Sequence, residues 1–498
     1  MEGRINKMKV ESIKKILKIL KNPIVLILIL GLIIRLYYFF MTYDQNNLWW
    51  DSSLYGNYAR YFSGHGPFVQ LAPVRPILFS LVWAGFNFIT LSEIPIRIFI
   101  LTFSMLAILG MYYLGRSITD NKKVGLLSAF LTAIFYIHIF YTQRLLVDTL
   151  SFTFFIWSAY FFFKYFKKNN AKYFYIASVI VAIGFLFRIT TALILLVVLI
   201  YTVVIDGTKL FKKKEYYIGA LIFLLIISPY LIWGYFQFGG FVLTKAFETN
   251  APTNFFASGY NVLITYITRF LLLLPNIWSV PIAFTFIMGL IMMHESIVGI
   301  DIMRKGDKKL RRDFFLLLMF IIPLVAISFL LNHDEDRYIF NVFPAIFILM
   351  SIAVYWTYDQ IRKTNKPVAI IFMIVLIGMT TFSQFQATDL TVKGKIPSYS
   401  QVKEAGLWIA GNSGPDDIVI THSYPQVQYY SGRYSRHFPK TEAEFELLDK
   451  TNFTYFMVSI FERSPEWVYN YPQKKNLTIA NAWLTPDGQP IVVVYNLK

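Results

Sequence analysis

The chain has no cysteine, so disulfides and thiolate metal sites are excluded outright. It is also poor in charge. Asp, Glu, Lys and Arg together make up 15% of its 498 residues, and they stand in short clusters between long apolar runs. No internal repeat and no low-complexity run is visible. The first apolar run, ending at Thr42, is not followed by a small-residue cleavage site, so the expectation is an uncleaved first span rather than a removed signal. What is abundant is apolar: 56% hydrophobic residues and 48 Phe, with mean hydropathy +0.51. A soluble domain of this length cannot cover so much apolar surface. Span-length runs separated by charged loops read as membrane helices.

The formal net charge is +18, which raises the question of nucleic acid. The distribution of the charge answers it. Of the 47 Lys and Arg, 27 fall in six segments: 1–22, 116–123, 164–172, 209–214, 304–312 and 362–366. The tail 387–498 carries 11 basic and 11 acidic residues and is neutral. Lys and Arg at span ends mark the cytoplasmic side, so the excess charge is an orientation signal. No nucleic-acid partner is expected, because no basic stretch outside the spans is interleaved with aromatics.

Keeping every basic cluster on one side constrains the spans. Stretches of about 17–23 apolar residues fit Pro23–Thr42, Pro95–Gly115, Val124–Tyr141, Thr149–Tyr165, Tyr173–Phe187, Thr191–Ile205, Tyr217–Gln237, Ile277–His294, Phe314–Leu331, Tyr338–Thr357 and Pro367–Phe385. That is about 11 helices, with a cytoplasmic basic N-terminus (1–22), a membrane domain (23–386) and a tail (387–498) on the far side. Pro76–Leu91 is left over. Counting it as a span would place 116–123 outside and invert every later cluster through 362–366, so it reads as an interfacial or re-entrant helix in a first outer loop, about 43–94. A second outer loop runs over about 238–276. The tail alternates helix and strand: helices at Ser400–Ala410 and Glu442–Leu448, strands at Asp417–Thr421 and Tyr455–Ser459, and a hairpin of Leu477–Ala482 with Ile491–Tyr495 around Pro486-Asp487-Gly488. The fold class is therefore a polytopic α-helical membrane protein with a small C-terminal α/β domain.

Nine basic residues remain: Arg35, Arg60, Arg75, Arg97, Arg144, Arg188, Lys245, Arg269 and Arg337. All are placed at or near the outer face, which positive-inside bias should deplete. Guanidinium groups gathered there suit a phosphate, and at that height a lipid phosphate. Snorkelling to headgroups is the plainer alternative. Two separated carboxylates stand on the same face. Asp51 opens a segment of helical period with Tyr55 one turn on, and it is also a plausible N-cap. Asp148 follows Arg144 by four residues, a spacing that allows a local salt bridge on one helix. A polar knot holds His333, Arg337 and Tyr338; a metal site of His333 with Asp334 and Asp336 is the less favoured reading, since no second histidine lies nearby.

In order and spacing these residues resemble the GT-C membrane glycosyltransferases, specifically the protein O-mannosyltransferase and aminoarabinose-transferase-like family. The resemblance is carried by Asp51 with Tyr55, the step Arg75-Pro76 before an apolar segment, Asp148 after the third span, and His333, Arg337, Tyr338 and Pro344. It implies an enzyme that transfers a sugar, with inversion, from a polyprenyl-phosphate donor to an acceptor protein, lipid or glycan on the outer face. Asp51 would be the general base and Asp148 the second cavity acid. Tyr55, Arg75, Arg144, Arg188, His333, Arg337 and Tyr338 would bind substrate, with Arg75, Arg188, His333 and Arg337 on the donor phosphate. Arg75 and Arg188 stand where the aminoarabinose branch has lysine, and Ser52 where it has a second acid. The implied cofactor is none, with a divalent metal left open. The implied surroundings are membrane lipids, and the absence of cysteine points to a prokaryotic plasma membrane. The other function class kept open is a transporter or flippase of lipid-linked or other anionic substrates.

Overall fold

The structure is a computed structural model that describes residues 21–44, 47–250, 255–268, 291, 294–295, 298–331, 334–448 and 451–497. Most of the basic segment 1–22, nearly all of the expected span Ile277–His294, and the residues Arg269 and His333 lie outside the described residues.

Among the described residues seven helices are long and apolar enough to cross a membrane: Pro23–Thr42, Ile94–Thr119, Ile189–Lys212, Lys214–Phe238, Lys308–Leu330, Tyr338–Thr364 and Lys366–Asn412, the last with its continuation into the tail. The expected span Val124–Tyr141 is not one rod. It forms Lys122–Ile134 and Tyr136–Thr142, bent by 55°. Phe135 at the break is extended, and the freed polar groups find partners from other helices. Arg35 Nη1 donates to the Ala133 carbonyl at 2.9 Å, and the Tyr136 amide donates to Gln384 Oε1 at 3.0 Å. A kink of this size needs such insertion into the hydrogen-bond ladder. Two further expected spans are helices at Asp148–Lys168 and Ala171–Phe187. The first carries Thr149, Ser151, Thr153 and Ser158 along a continuous helix and is largely buried among its neighbours. The second is short, at 17 residues.

Pro76–Leu91 forms a helix only over Leu78–Asn87, 10 residues. At 1.5 Å per residue that is about 15 Å, half of a bilayer core. It packs against Trp50–Phe62, the helix of the same loop, through the Tyr55, Phe79 and Trp83 rings.

The helix Lys366–Lys395 passes through position 387 without a break. The compact tail starts at the helix Ser400–Asn412. Its five strands are β1 (Ile418–Thr421), β2 (Ser435–Arg436), β3 (Phe453–Ser459), β4 (Ile479–Leu484) and β5 (Pro490–Asn496), in the order β2-β1-β3-β5-β4. β1 pairs parallel with β2 and β3; β5 pairs antiparallel with β3 and β4. Alternation splits the strands between two cores. Val419, Tyr455, Met457, Val492 and Val494 meet Val402, Ala405 and Ile409. Ile420, Phe453 and Phe456 meet Phe438, Phe445, Val468 and Tyr471 on the other face. The hairpin and the two strands expected from sequence are present. Of the helices Tyr424–Ser431 and Glu466–Lys474 only the end of the first was expected, from Gly432 as a stop signal, and β2 was not expected. The first of these helices ends where Gly432 takes a φ of 67°, a left-handed stop that glycine tolerates.

Candidate functional site

The candidate site is built from the ends of elements, where the chain leaves helical geometry and polar groups are available. Asp51 lies in the first turn of Trp50–Phe62. The residue at the cap position is Trp49, which makes no side-chain cap, so Asp51 is not the N-cap. Its carboxylate turns to two arginines instead. Arg75 Nη2 donates to Asp51 Oδ1 at 2.5 Å, and Arg337 Nη2 donates to Oδ2 at 2.9 Å. Asp148 opens the helix Asp148–Lys168 and accepts from Arg188 Nη1. Arg188 is the extended residue between Ala171–Phe187 and the short 3-10 turn Ile189–Ala192. Arg337 Nη1 stands 3.9 Å from Asp148 Oδ2.

The result is a ladder of alternating charge: Arg75, Asp51, Arg337, Asp148, Arg188. Glu335 joins its middle, accepting from Arg337 Nε at 2.5 Å and from the Tyr338 hydroxyl at 3.2 Å. Unit charges about 4 Å apart attract by about 4 kcal/mol at an effective dielectric near 20, so the rungs hold one another. Burial alone would push the Asp51 carboxyl up; Arg75 and Arg337 outweigh it and hold it well below the usual carboxylate range. One acceptor is left over. Asp148 Oδ2 is buried and has no hydrogen bond among the described residues.

The ladder faces a cavity of about 820 Å³, the size of a small-molecule site. Seven residues expected from sequence line it: Asp51, Tyr55, Arg75, Asp148, Arg188, Arg337 and Tyr338. Arg144 does not. The chain between Tyr136–Thr142 and Asp148–Lys168 is irregular, so the four-residue spacing does not put Arg144 and Asp148 on one helix face. Arg144 instead stacks its guanidinium 4.2 Å from the Trp49 ring centre and donates to the Lys395 carbonyl at 3.3 Å. Arg35 is also elsewhere, fully buried in the bundle. Arg60 lies on Tyr429, Arg97 pairs with Glu93, and Lys245 pairs with Glu248 at 2.9 Å. Of the eight cations grouped by sequence that lie among the described residues, the cavity therefore takes Arg75, Arg188 and Arg337.

Sequence reasoning missed several residues. Glu335 stands between Asp334 and Asp336 in the polar knot, but nothing in its sequence position assigns it a role. Lys395, Ser398 and Tyr399 line the cavity from the junction of the last span with the tail, and nothing in the local sequence marks them. Lys395 carries no ion pair among the described residues. Tyr58 was legible: it lies seven residues after Asp51, on the same helix face. Its hydroxyl accepts from the Ala72 amide at 3.1 Å and donates to the Gln70 carbonyl at 3.3 Å, which fastens the loop bearing Arg75 to the helix bearing Asp51. Among the described residues no group of three His, Asp or Glu side chains is gathered to hold a metal ion.

Residues 73–233 match the family model for dolichyl-phosphate-mannose-protein mannosyltransferase. ArnT from Cupriavidus metallidurans bound to undecaprenyl phosphate superposes with a TM-score of 0.64 at 13% identity, over 94% of this chain and 97% of that one. This chain has the GT-C fold. The archaeal oligosaccharyltransferase AglB from Archaeoglobus fulgidus, in complex with an inhibitory peptide and a dolichol-phosphate, shares that fold at a TM-score of 0.58 and 13% identity, covering 94% of this chain and 74% of that one. So does the arabinofuranosyltransferase AftD from Mycobacteria, at 0.54 and 11%, over 94% and 40%. No curated protein matches the chain by sequence. The GT-C resemblance read from Asp51, Arg75-Pro76, Asp148 and Arg337-Tyr338 is borne out by the family segment and the fold together.

Proposed function

We propose that this chain is a membrane glycosyltransferase that moves a sugar from a polyprenyl-phosphate donor to an acceptor on the outer face of the membrane, with inversion and with Asp51 as general base. The observation that carries the reading is the ladder itself: two carboxylates separated by one arginine, open to a cavity at the end of a helical bundle. ArnT bound to undecaprenyl phosphate, and the mannosyltransferase family segment, support the class of donor.

The chemistry follows from the charges. The leaving group is a lipid phosphate whose negative charge grows as the glycosidic bond breaks. Fixed cations in a sheltered site stabilise that charge without reorganising, which is commonly the largest catalytic effect. Arg188, Arg337 and Lys395 are the groups placed for it. Held by Arg75 and Arg337 alone, Asp51 is too well stabilised to be a strong base. When a phosphate draws on Arg337 and Arg75, their hold on Asp51 weakens and its proton affinity rises. The base is thereby armed by donor binding. Asp148 Oδ2, which has no hydrogen bond among the described residues, is placed to accept from a hydroxyl of the sugar or the acceptor.

The test is transfer by purified protein from a panel of polyprenyl-phosphate sugars. Turnover of one of them, lost about 10²–10⁴-fold in Asp51→Asn with undecaprenyl phosphate still bound, is the expected result. Neither turnover nor binding of any carrier would sink the donor class. Full activity in Asp51→Asn would remove the base.

A further inference from the structure

The helix that begins with Asp51 carries a glycine in its middle, where glycine costs about 1 kcal/mol relative to alanine. Gly56 is there because something occupies the space of a side chain. A Cβ on Gly56 would come within 2.6 Å of Tyr429 Cε2 and 3.1 Å of Trp83 Cη2. Tyr429 belongs to the tail, on the helix Tyr424–Ser431, and is buried to 4% exposure.

Other contacts make this a clamp. Asn57, next to the notch and buried, donates to the Pro425 carbonyl at 2.8 Å. Arg60 donates to the Tyr429 carbonyl and lies 3.9 Å over its ring. The Tyr429 hydroxyl donates to Glu93 Oε1 at 3.1 Å. Ahead of Asp51, the Leu48 amide donates to the Tyr430 hydroxyl at 2.8 Å, and Trp50 meets Tyr424 edge-on at 5.2 Å. One tail helix thus holds the Asp51 helix before, in and beyond its first turns.

We propose that Tyr429 is a positioning residue: through the notch at Gly56 the soluble tail sets the depth and tilt of the helix Trp50–Phe62, and so the place of Asp51 against Arg75 and Arg337. This rests on the reading of Asp51 as the base. Asp51 is about 7–8 Å along the helix axis from Gly56. A tilt too small to unfold anything moves its carboxylate by a fraction of an ångström, and misplacement by about 1 Å in a catalytic site is worth on the order of 10²-fold in rate.

The experiment compares the full chain with Tyr429→Ala, Tyr429→Phe, Gly56→Ala and the double variant Gly56→Ala/Tyr429→Ala. Transfer kinetics, undecaprenyl phosphate binding and hydrogen exchange over residues 50–62 are measured. Tyr429→Ala is expected to lose at least tenfold in kcat with KM for the donor nearly unchanged, and to exchange faster over 50–62 but not in the spans. Tyr429→Phe keeps the ring in the notch and is expected to restore kcat to within about threefold. Gly56→Ala alone loses activity, and the double variant recovers part of it, because the new methyl group enters the vacated space. Equal kcat in Tyr429→Ala and the parent, or no recovery in either Tyr429→Phe or the double variant, overturns the proposal. If the parent itself transfers no sugar, the reading of the function fails, while exchange over 50–62 still decides whether the clamp exists.

Discussion

Two buried arginines in this molecule show what separates a structural charge from a functional one. Arg35 sits in the interior of the bundle, fully buried. Its partners are Ser104 Oγ at 2.5 Å, the Gly31 carbonyl at 3.1 Å, the Ala133 carbonyl at 2.9 Å and His138 Nδ1 at 3.0 Å. None is a carboxylate, and the residue does not line the cavity. Arg337 is partly open, with 11% of its side chain exposed. It lies between Asp51, Glu335 and Asp148. An ionisable residue within a membrane helix is by default a candidate for function. Arg35 departs from that default because its donors are spent on two carbonyls, a hydroxyl and a histidine ring, one of them a carbonyl that the kink at Phe135 sets free. The signature of the site is not buried charge but buried charge of both signs at the wall of a cavity.

The largest test of that contrast is Arg337→Gln. It removes the central rung and leaves Asp51 and Asp148 facing each other with less compensation. Transfer is expected to fall by about 10²-fold or more, measured as kcat with a saturating polyprenyl-phosphate sugar. A loss below threefold would mean that the ladder is only scaffolding.

Arg75→Gln sharpens the same point through pH. With Arg75 present the Asp51 carboxyl is held below its ordinary range in the folded chain. Its contribution to stability is therefore complete above the unfolded value, near pH 4, and is lost as pH falls through the lower folded value. Removing Arg75 lets burial act, and the folded pKa of Asp51 rises. The acid limb of the kcat/KM profile is expected to move to higher pH, and kcat at neutral pH to change by about tenfold or less. An unmoved limb would show that Arg337 alone controls Asp51.

The smallest effect on catalysis belongs to Arg35→Met. The Ala133 carbonyl and His138 lose their shared donor, and each unsatisfied buried group costs about 1–3 kcal/mol. The thermal midpoint in detergent is expected to drop while kcat of the folded protein holds within about twofold. A normal midpoint with lost transfer would reverse the roles assigned to the two arginines.

How much of this was legible follows the same division. Apolar runs and their basic flanks gave most helices, because span length and side preference are local properties. The failures lie where local rules meet long-range partners. Val124–Tyr141 reads as one apolar rod; it breaks because Arg35 and Gln384, distant in sequence, satisfy the groups that the break exposes. Arg144 and Asp148 have helical spacing, but the helix starts at Asp148. Tyr424–Ser431 has little to mark it locally except Gly432, since its reason for being there is the groove on another helix.

Composition and charge placement determined a polytopic helical membrane chain with a small α/β tail, and the ordered set Asp51, Tyr55, Arg75, Asp148, His333, Arg337 and Tyr338 pointed to a lipid-phosphate chemistry. Only the tertiary structure decided which arginines belong together. It separated Arg337 from Arg35 and Arg144, brought Lys395 and Tyr399 to the cavity wall, and laid Tyr429 against Gly56. Helix periodicity and side preference are read within a few turns of chain. Pairing between charges is settled by packing across residues hundreds of positions apart.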